Sequence, residues 1–255
     1  MVQTDLTCAH PTHVDRQIDV VLDGPVVAIP DSPPVLHRLA LRFPMLIWDW
    51  ERYDGHVGYC PGNDEVSKSL GLQGMWEGYE TVLTLNILET PGLVVDVGAH
   101  IGWYTILAGL TGHPVVAIEP DAENLRLLNL NLALNQVGAD IHPVWIDQLT
   151  PLLDMSGPVR LIKMDIEGSE DQAIRICRPL LGVVDYLLVE VSPVFADHYP
   201  QTVQTVVDCG YRGFVVPVDG HEAFSADPLG TVQQFPLVDL DFDQRNVLFI
   251  REDLC

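Results

Sequence analysis

A strand–turn–helix pattern near the middle of the chain most restricts how this sequence can fold. Leu93–Val97 is an apolar run interrupted by a single acid, which is typical of a strand buried on both faces of a parallel sheet. Gly98 and Gly102 follow in the turn, and a helical pattern then runs to Thr111, just before Gly112. Because a parallel strand needs a crossover connection to its neighbour, this unit predicts an α/β fold.

The alternation of strands and helices continues to the end of the sequence, which predicts a doubly wound, mostly parallel, Rossmann-like α/β sheet. Further strands are predicted over residues 115–118, 141–146, 159–164, 186–191, 211–216 and 246–250. Helices are predicted over residues 102–111, 121–135, 170–178 and 200–209, with a weaker helical pattern over residues 148–155. Since such sheets bind ligands beyond the carboxyl ends of their strands, we expect the functional residues at that edge.

The first third of the chain lacks this alternation. We therefore predict an N-terminal accessory region over residues 1–91, followed by one α/β domain over residues 92–255. Residues 18–29 predict two β-strands joined at Asp23-Gly24, a dipeptide typical of hairpins. Residues 64–70 and 76–88 predict helices. A length of 255 residues fits one domain with modest additions.

The charge balance limits the class of partner. The chain has 13 Lys and Arg residues against 36 Asp and Glu residues, and its formal net charge of −23 opposes binding to nucleic acid or to an anionic membrane. Five cysteines without a CxxC pair indicate neither a disulfide framework nor a zinc site, and favour a reducing compartment. Neither a targeting leader nor an apolar stretch of about 20 residues is recognisable. We expect a cytoplasmic protein that acts on a small molecule, whereas its oligomeric state is not indicated.

The turn after the first strand of the predicted sheet has the chemistry of a nucleotide site. Glycines let the backbone approach a ligand closely, and the start of the next helix favours an anionic group. The spacing is GxxxG, not the GxGxxG of a dinucleotide site, and no GK[ST] follows as in a phosphate loop. Glu119 ends the next strand about 20 residues later, where a carboxylate can accept both ribose hydroxyls. This ordered set predicts S-adenosylmethionine as the cofactor, bound by Asp96, Gly98, Ala99, His100, Gly102, Glu119 and Pro120.

A structural interpretation of the same residues stays open. In the functional one, Asp96 and the loop hold the methionine half of the cofactor, and Glu119 holds its ribose. In the structural one, Gly98 and Gly102 only permit tight packing of strand against helix, and Glu119 is a surface acid at the start of a helix. The complete set of features favours the functional interpretation.

The motifs together resemble the FkbM family of S-adenosylmethionine-dependent methyltransferases. The resemblance covers roughly residues 74–250, and its most specific block is KMDIEGSE at residues 163–170. The other matching segments are GMWE at residues 74–77, residues 95–105, IEP at residues 118–120, LLVEV at residues 187–191 and NVLFI at residues 246–250. The resemblance implies methylation of a hydroxyl group on a sugar or natural product. His100 departs from the family pattern, which usually has Asn there, and the interval between Asn135 and Lys163 is shorter than usual.

Acidic residues at the ends of later strands are candidates for catalysis. Lys163, Asp165 and Glu167 alternate at the end of a predicted strand, so a period of two places them on one face. A carboxylate there can take the proton of an acceptor hydroxyl or hold a divalent metal, although no metal-binding pattern supports the second role. Glu190 ends an otherwise apolar strand, where an acid is costly unless it is used or paired. The catalytic candidates are thus Asp165, Glu167 and Glu190. The structural alternative is a Lys163–Asp165 salt bridge followed by acids at a helix start.

Two other functions remain open at this stage. The shortened segment and His100 are compatible with a catalytically silent methyltransferase fold that only binds. A nicotinamide-dependent oxidoreductase is disfavoured because GxGxxG is missing.

Overall fold

The computed structural model describes residues 17–21, 42–46, 65–148, 157–191, 199–217, 227–237 and 244–255. Its strands are β1 (Gln17–Val21), β2 (Arg42–Leu46), β3 (Leu93–Val97), β4 (Val115–Ile118), β5 (Asp140–His142), β6 (Val159–Met164), β7 (Val184–Val191), β8 (Tyr211–Val215) and β9 (Arg245–Arg251). Its α-helices are α1 (Glu65–Gln73), α2 (Gly78–Ile87), α3 (Trp103–Leu110), α4 (Ala122–Asn135), α5 (Glu170–Cys177), α6 (Tyr199–Asp208) and α7 (Pro228–Val232). Short 3₁₀ turns are Ile146–Gln148, Arg178–Val183 and Glu252–Leu254.

Seven strands form the central sheet, in the order β5-β4-β3-β6-β7-β9-β8. The pairs from β5 to β7 are parallel, whereas β9 is antiparallel to both β7 and β8. The predicted doubly wound, mostly parallel class is therefore confirmed. The chain runs outward from β3 to β5 and then returns to β6, so the strand order reverses between β3 and β6, where open α/β sheets bind ligands.

Side chains alternate between the two faces of this sheet, and helices cover both. Val95 and Val97 of β3 belong to a buried cluster that includes residues of α5 and α6. Val94, which precedes Val95 and projects from the opposite face, packs instead in a cluster with Leu83 of α2 and residues of α7. Asp96 projects from the same face of the sheet as Val94, because the two residues are two positions apart in β3.

The carboxyl-terminal end of α2 is hydrogen-bonded to β6 near the amino end of that strand. The Nε of Arg160 in β6 donates to the carbonyl of Ile87 at 2.9 Å. The guanidinium of Arg160 also pairs with Asp185 at 3.0 Å, and Arg251 reaches the same carboxylate at 3.1 Å. An orphan carbonyl at the helix end is thereby satisfied, and α2 is held in a fixed position over the sheet.

Some element boundaries differ from the predictions. The strand predicted over residues 141–146 is only Asp140–His142, because Pro143 has no N–H to continue the ladder. Of the weak helical pattern over residues 148–155, only Gln148 lies within the described residues, at the end of a 3₁₀ turn. The predicted hairpin turn at Asp23-Gly24 lies outside the described residues, and β1 pairs antiparallel with β2.

The division at residues 91–92 stays a prediction. Within the described part of the chain, every helix is too short or too polar to cross a membrane.

Candidate active site

Charged side chains from neighbouring strands meet at the switch point of the sheet. Asp96 of β3 and Lys163 of β6 are register partners, so both project from the same face. Glu190 of β7 is in register with Asn246 of β9 and occupies the same face by the period of two. The topology therefore brings acids that are far apart in sequence to one edge beneath α2.

The glycine turn is fastened to β4 by its own backbone. The amides of Gly98 and Ala99 donate to the carbonyl of Ile118 at 2.9 and 3.0 Å, and the amide of Gly102 donates to Ala99 at 2.8 Å. Gly98 and Gly102 have φ of 84° and 98°, which is left-handed and suits glycine. His100 takes φ of 51° without being glycine. The turn thus combines a compact shape at the switch point with backbone strain at His100.

Both glycines also have a packing reason. A Cβ on Gly98 would lie 1.9 Å from the carbonyl oxygen of Asp165, and one on Gly102 would lie 2.5 Å from Cδ1 of Leu128. This observation supports the packing role that the structural interpretation gives them. The close approach of Gly98 also brings the turn against the loop that carries Asp165.

Gly98→Ala is expected to lower the free energy of unfolding by about 3 kcal/mol or more, because the methyl group meets rigid backbone at a left-handed position. Gly112→Ala is the matched control, since Gly112 has φ of 87° but a Cβ added there would have nothing within 4 Å. It should cost only about 1 kcal/mol of conformational strain. Urea denaturation of both variants measures the difference. Equal losses would show that the contact with Asp165 is unimportant.

Glu119 is buried, and its carboxylate joins the glycine turn to α4. It is 5% exposed. Its Oε2 accepts from the amide of His100 at 2.8 Å, and its Oε1 accepts from the amide of Asp121 at 2.9 Å. Asn124 approaches Oε1 at 3.5 Å. The alternative of a surface acid is therefore wrong. Pro120 lies between Glu119 and Asp121, and Asp121 caps α4 as its position before the helix suggests.

Asp96 lies at the carboxyl end of β3 and is 2% exposed. Its Oδ2 accepts a hydrogen bond from Oγ1 of Thr105 in α3 at 2.6 Å. Burial raises the pKa of Asp96 above its usual value, although Lys163 and Thr105 oppose the shift.

Lys163 is a buried ammonium among acids. Its Nζ lies 3.1 Å from Oδ2 of Asp165 and 3.8 Å from Oε2 of Glu77, and 4.5 Å from the ring centroid of Tyr104. Burial disfavours its charge, but Asp165, Glu77 and Asp96 outweigh burial and raise its pKa. Lys163 is therefore a permanent cation at the centre of the site.

Glu77 and Glu80, at the start of α2, complete the cluster, and neither is among the catalytic or cofactor-binding residues predicted from the sequence. The Oε2 of Glu77 accepts from the hydroxyl of Tyr104 at 2.7 Å. The amide of Asn246 donates to Oε1 of Glu77 at 3.1 Å and to Oε1 of Glu80 at 3.2 Å. Burial, and then Glu77, raise the pKa of Glu80 to about 7. The only signal in the sequence was the acid of the GMWE segment.

Two of the catalytic candidates, Asp165 and Glu190, lie close together, although Asp165 follows β6 and Glu190 belongs to β7. Burial would raise the pKa of Asp165, but Lys163 and hydrogen bonds from Lys163 and Glu190 lower it below its usual value. Burial, and then Asp165, raise the pKa of Glu190 to about 8. The amide of Gln244 donates to Oε1 of Glu190 at 2.5 Å.

Glu167 does not share the face of Lys163 and Asp165, so that expectation is wrong. β6 ends at Met164, and the chain then turns, with Glu167 at φ of 48°. A period of two holds only inside a strand, and Glu167 is exposed. Glu170, at the start of α5, holds this turn by accepting from the amides of Ile166 and Gly168.

Oxygens of Glu77, Asp165 and Glu190 lie within 4.8 Å of one another, a spacing that could suit a metal ion. The ammonium of Lys163 already lies beside two of these carboxylates. Because Lys163 supplies the positive charge there, we assign no metal site to them.

No protein-family model matches the chain, and no curated protein matches it. Solved structures resemble its fold. A precorrin-6y C5,15-methyltransferase from Geobacter metallireducens is 15% identical, with 67% of this chain and 88% of that chain covered at a TM-score of 0.47. Magnesium protoporphyrin IX methyltransferase from Synechocystis, solved with bound SAM, is 13% identical, with 79% and 89% covered at 0.47. An rRNA methylase from Streptococcus thermophilus is 12% identical, with 66% and 93% covered at 0.44. At these identities and TM-scores the likeness does not identify the reaction of this chain.

Proposed function

We propose that this protein is an S-adenosylmethionine-dependent methyltransferase that methylates a hydroxyl group of a small acceptor, such as a sugar or natural product. The observation that carries the proposal is the buried Glu119 at the end of β4, hydrogen-bonded to a strained glycine turn at the switch point. The resemblance to the FkbM family supplies the acceptor class. The net charge of −23 supports a small acceptor over a nucleic acid.

The residues around the turn fit this cofactor in their chemistry. A carboxylate offers about four lone-pair sites, and the two short bonds of Glu119 occupy one on each oxygen. Because the amide of Asn124 also approaches Oε1, at 3.5 Å, the remaining acceptor capacity for a ribose hydroxyl lies mainly on Oε2. Asp96 and the turn would hold the methionine half, with Gly98, Ala99, His100, Gly102 and Pro120 around it. When bound, the cofactor supplies a methyl group on a positively charged sulfur.

The chain's own contribution to the reaction is alignment and proton removal. A hydroxyl is a poor nucleophile, and an ionised carboxylate at its proton makes the oxygen a better one. Asp165 and Glu190 lie at the carboxyl ends of β6 and β7, close to the glycine turn, and either is placed to act. Glu167 lies outside this group. Holding the acceptor oxygen in line with the methyl group would supply much of the remaining acceleration.

Binding of S-adenosylhomocysteine tests the cofactor. At a concentration about 100 times its Kd it should raise Tm by about 5–10 °C, whereas NAD should not. Glu119→Ala should weaken this binding by about one to two orders of magnitude, as expected for hydrogen bonds to a charged group. Isothermal titration calorimetry measures both.

Glu89→Ala serves as the control, because Glu89 is exposed and precedes the amino end of β3, whereas the glycine turn follows the carboxyl end of that strand. It should bind S-adenosylhomocysteine as the unaltered protein does. No binding heat and no change of Tm in the unaltered protein would refute the proposed cofactor. Binding of NAD instead would favour an oxidoreductase. Binding without turnover on any hydroxyl acceptor, sought with labelled S-adenosylmethionine, would favour a catalytically silent protein.

A further inference from the structure

We propose that Asp165 and Glu190 share one proton and that Lys163 places it on Glu190, which leaves Asp165 as the base and Glu190 as its protonated partner. The assignment rests on the proposed function, because it decides which of the candidate carboxyls acts on the acceptor.

The first step of the argument is the contact between the two carboxyls. Oxygens of Asp165 and Glu190 lie within 4.8 Å of each other, on loops and strands that are neighbours in the sheet. Each carboxyl also has a different donor beside it, the ammonium of Lys163 for Asp165 and the amide of Gln244 for Glu190. Two carboxyls this close repel when both are ionised, so one proton held between them is favoured.

The second step is the difference between their surroundings. Asp165 has the ammonium of Lys163 at 3.1 Å, which stabilises its charged form. Glu190 has the neutral amide of Gln244 as its other partner. Two nearby carboxyls whose surroundings differ in this way separate into a charged one and a neutral one. The shifts agree, because the pKa of Asp165 is lowered and that of Glu190 is raised to about 8.

The third step concerns the other charges that face the pair. Glu77 and Glu80 approach from α2, Asp96 from β3 and His100 from the glycine turn. Asn246 of β9 contributes only a neutral amide, which donates hydrogen bonds to Glu77 and Glu80. Among the described residues around the pair, Lys163 is the cation that contacts it, so negative charge is in excess. This excess favours keeping one proton on the pair at neutral pH.

Glu77 is then a positioning residue for Lys163. Its carboxylate is held by the hydroxyl of Tyr104 at 2.7 Å and by Asn246 at 3.1 Å, so it presents a fixed charge to the ammonium. Lys163 is thereby held between Glu77 and Asp165.

The reaction balances with this assignment. The acceptor oxygen forms a bond to the methyl carbon, the bond from that carbon to sulfur breaks, and its electron pair stays on sulfur. The hydroxyl proton passes to Asp165 and from there to water. Glu190 keeps its proton throughout and donates a hydrogen bond to Asp165.

Glu190→Gln tests the assignment, because a glutamine side chain resembles the protonated acid and can keep both hydrogen bonds. We expect kcat to fall by about tenfold or less, far less than the loss expected for Asp165→Asn. If Glu190 were the base, kcat would fall by about 10² or more with S-adenosylhomocysteine affinity unchanged, and the proposal would be overturned.

A second measurement does not depend on catalysis. A group whose pKa is higher in the folded protein loses its stabilising contribution as pH rises towards that folded value. Between pH 7 and 8, where Glu80 is already at least half ionised, the loss of the proton from Glu190 should lower Tm by roughly 3 °C. Glu190→Gln should remove that part of the fall, whereas Glu89→Gln should keep it.

Carboxyl ¹³C NMR of the unaltered protein covers the case in which Glu190→Gln does not fold. Glu190 should titrate near pH 8, whereas Asp165 should stay ionised throughout that titration. Titration of Asp165 in place of Glu190 would overturn the assignment. If the protein neither binds S-adenosylhomocysteine nor transfers a methyl group, the proposed function fails, and the titration still decides where the proton lies.

Discussion

Asp165→Asn is expected to lower turnover by about 10²–10⁴ while affinity for S-adenosylmethionine stays within a few-fold. The substitution keeps the size of the side chain but removes the charge that would take the acceptor proton. The close packing at Gly98 should not change, because Gly98 lies against the main-chain carbonyl of residue 165 and not against its side chain. Initial rates with labelled cofactor, together with calorimetric Kd values, measure the two effects separately.

Asp208→Asn is the control for this substitution, because Asp208 is exposed in α6 and bonds only Gln204 among the contacts described. Its turnover should be unchanged. Normal turnover in folded Asp165→Asn would reduce Asp165 to a salt-bridge partner of Lys163. Loss of activity in the unaltered protein on adding a chelator would instead indicate a metal-dependent role for these acids.

Lys163→Met is expected to lower the free energy of unfolding by about 3–5 kcal/mol at pH 7, the range found when one partner of a buried ion pair is removed. Asp165, Glu77 and Asp96 would then lie together without the cation that offsets their repulsion. Methionine keeps most of the apolar packing of the lysine stem, so the loss reports the charge. The loss should be smaller at pH 5 than at pH 8, because carboxyls that hold protons no longer repel.

Lys68→Met is the matched control. The Nζ of Lys68 pairs with Glu65 at 3.2 Å, but both side chains are about half exposed or more, at 48% and 67%. Exposed pairs contribute about 0–1 kcal/mol. Urea denaturation at the two pH values compares the variants, and similar losses for Lys68 and Lys163 would contradict the central place given to Lys163.

The sheet and the glycine turn could be predicted because their signals are local. An apolar run, a glycine pair and a helical pattern all fall within about 20 residues, and Glu119 follows at the spacing expected for the next strand end. The errors are local as well. Pro143 ended β5 early, and Glu167 was placed on the face of β6 because the end of that strand at Met164 has no strong signal.

The residues that surround Lys163 could not be predicted in this way. Asn246 and Glu77 are 169 positions apart and meet only because β9 inserts between β7 and β8 while α2 crosses the sheet. A buried polar group needs partners, but its sequence neighbours do not show which distant side chains supply them. Only the packing of α2 shows that Glu77 and Glu80 face the strand ends.

The attachment of α2 at both of its ends has a consequence for dividing the chain. At its amino-terminal end, Glu77 and Glu80 accept hydrogen bonds from the amide of Asn246. At its carboxyl-terminal end, the carbonyl of Ile87 accepts from Arg160. A fragment starting at residue 92 would lose both attachments and would expose the apolar sheet face that Leu83 covers. We therefore expect that the smallest fragment able to keep the Lys163 cluster intact begins before Glu77, wherever the boundary between the predicted regions falls.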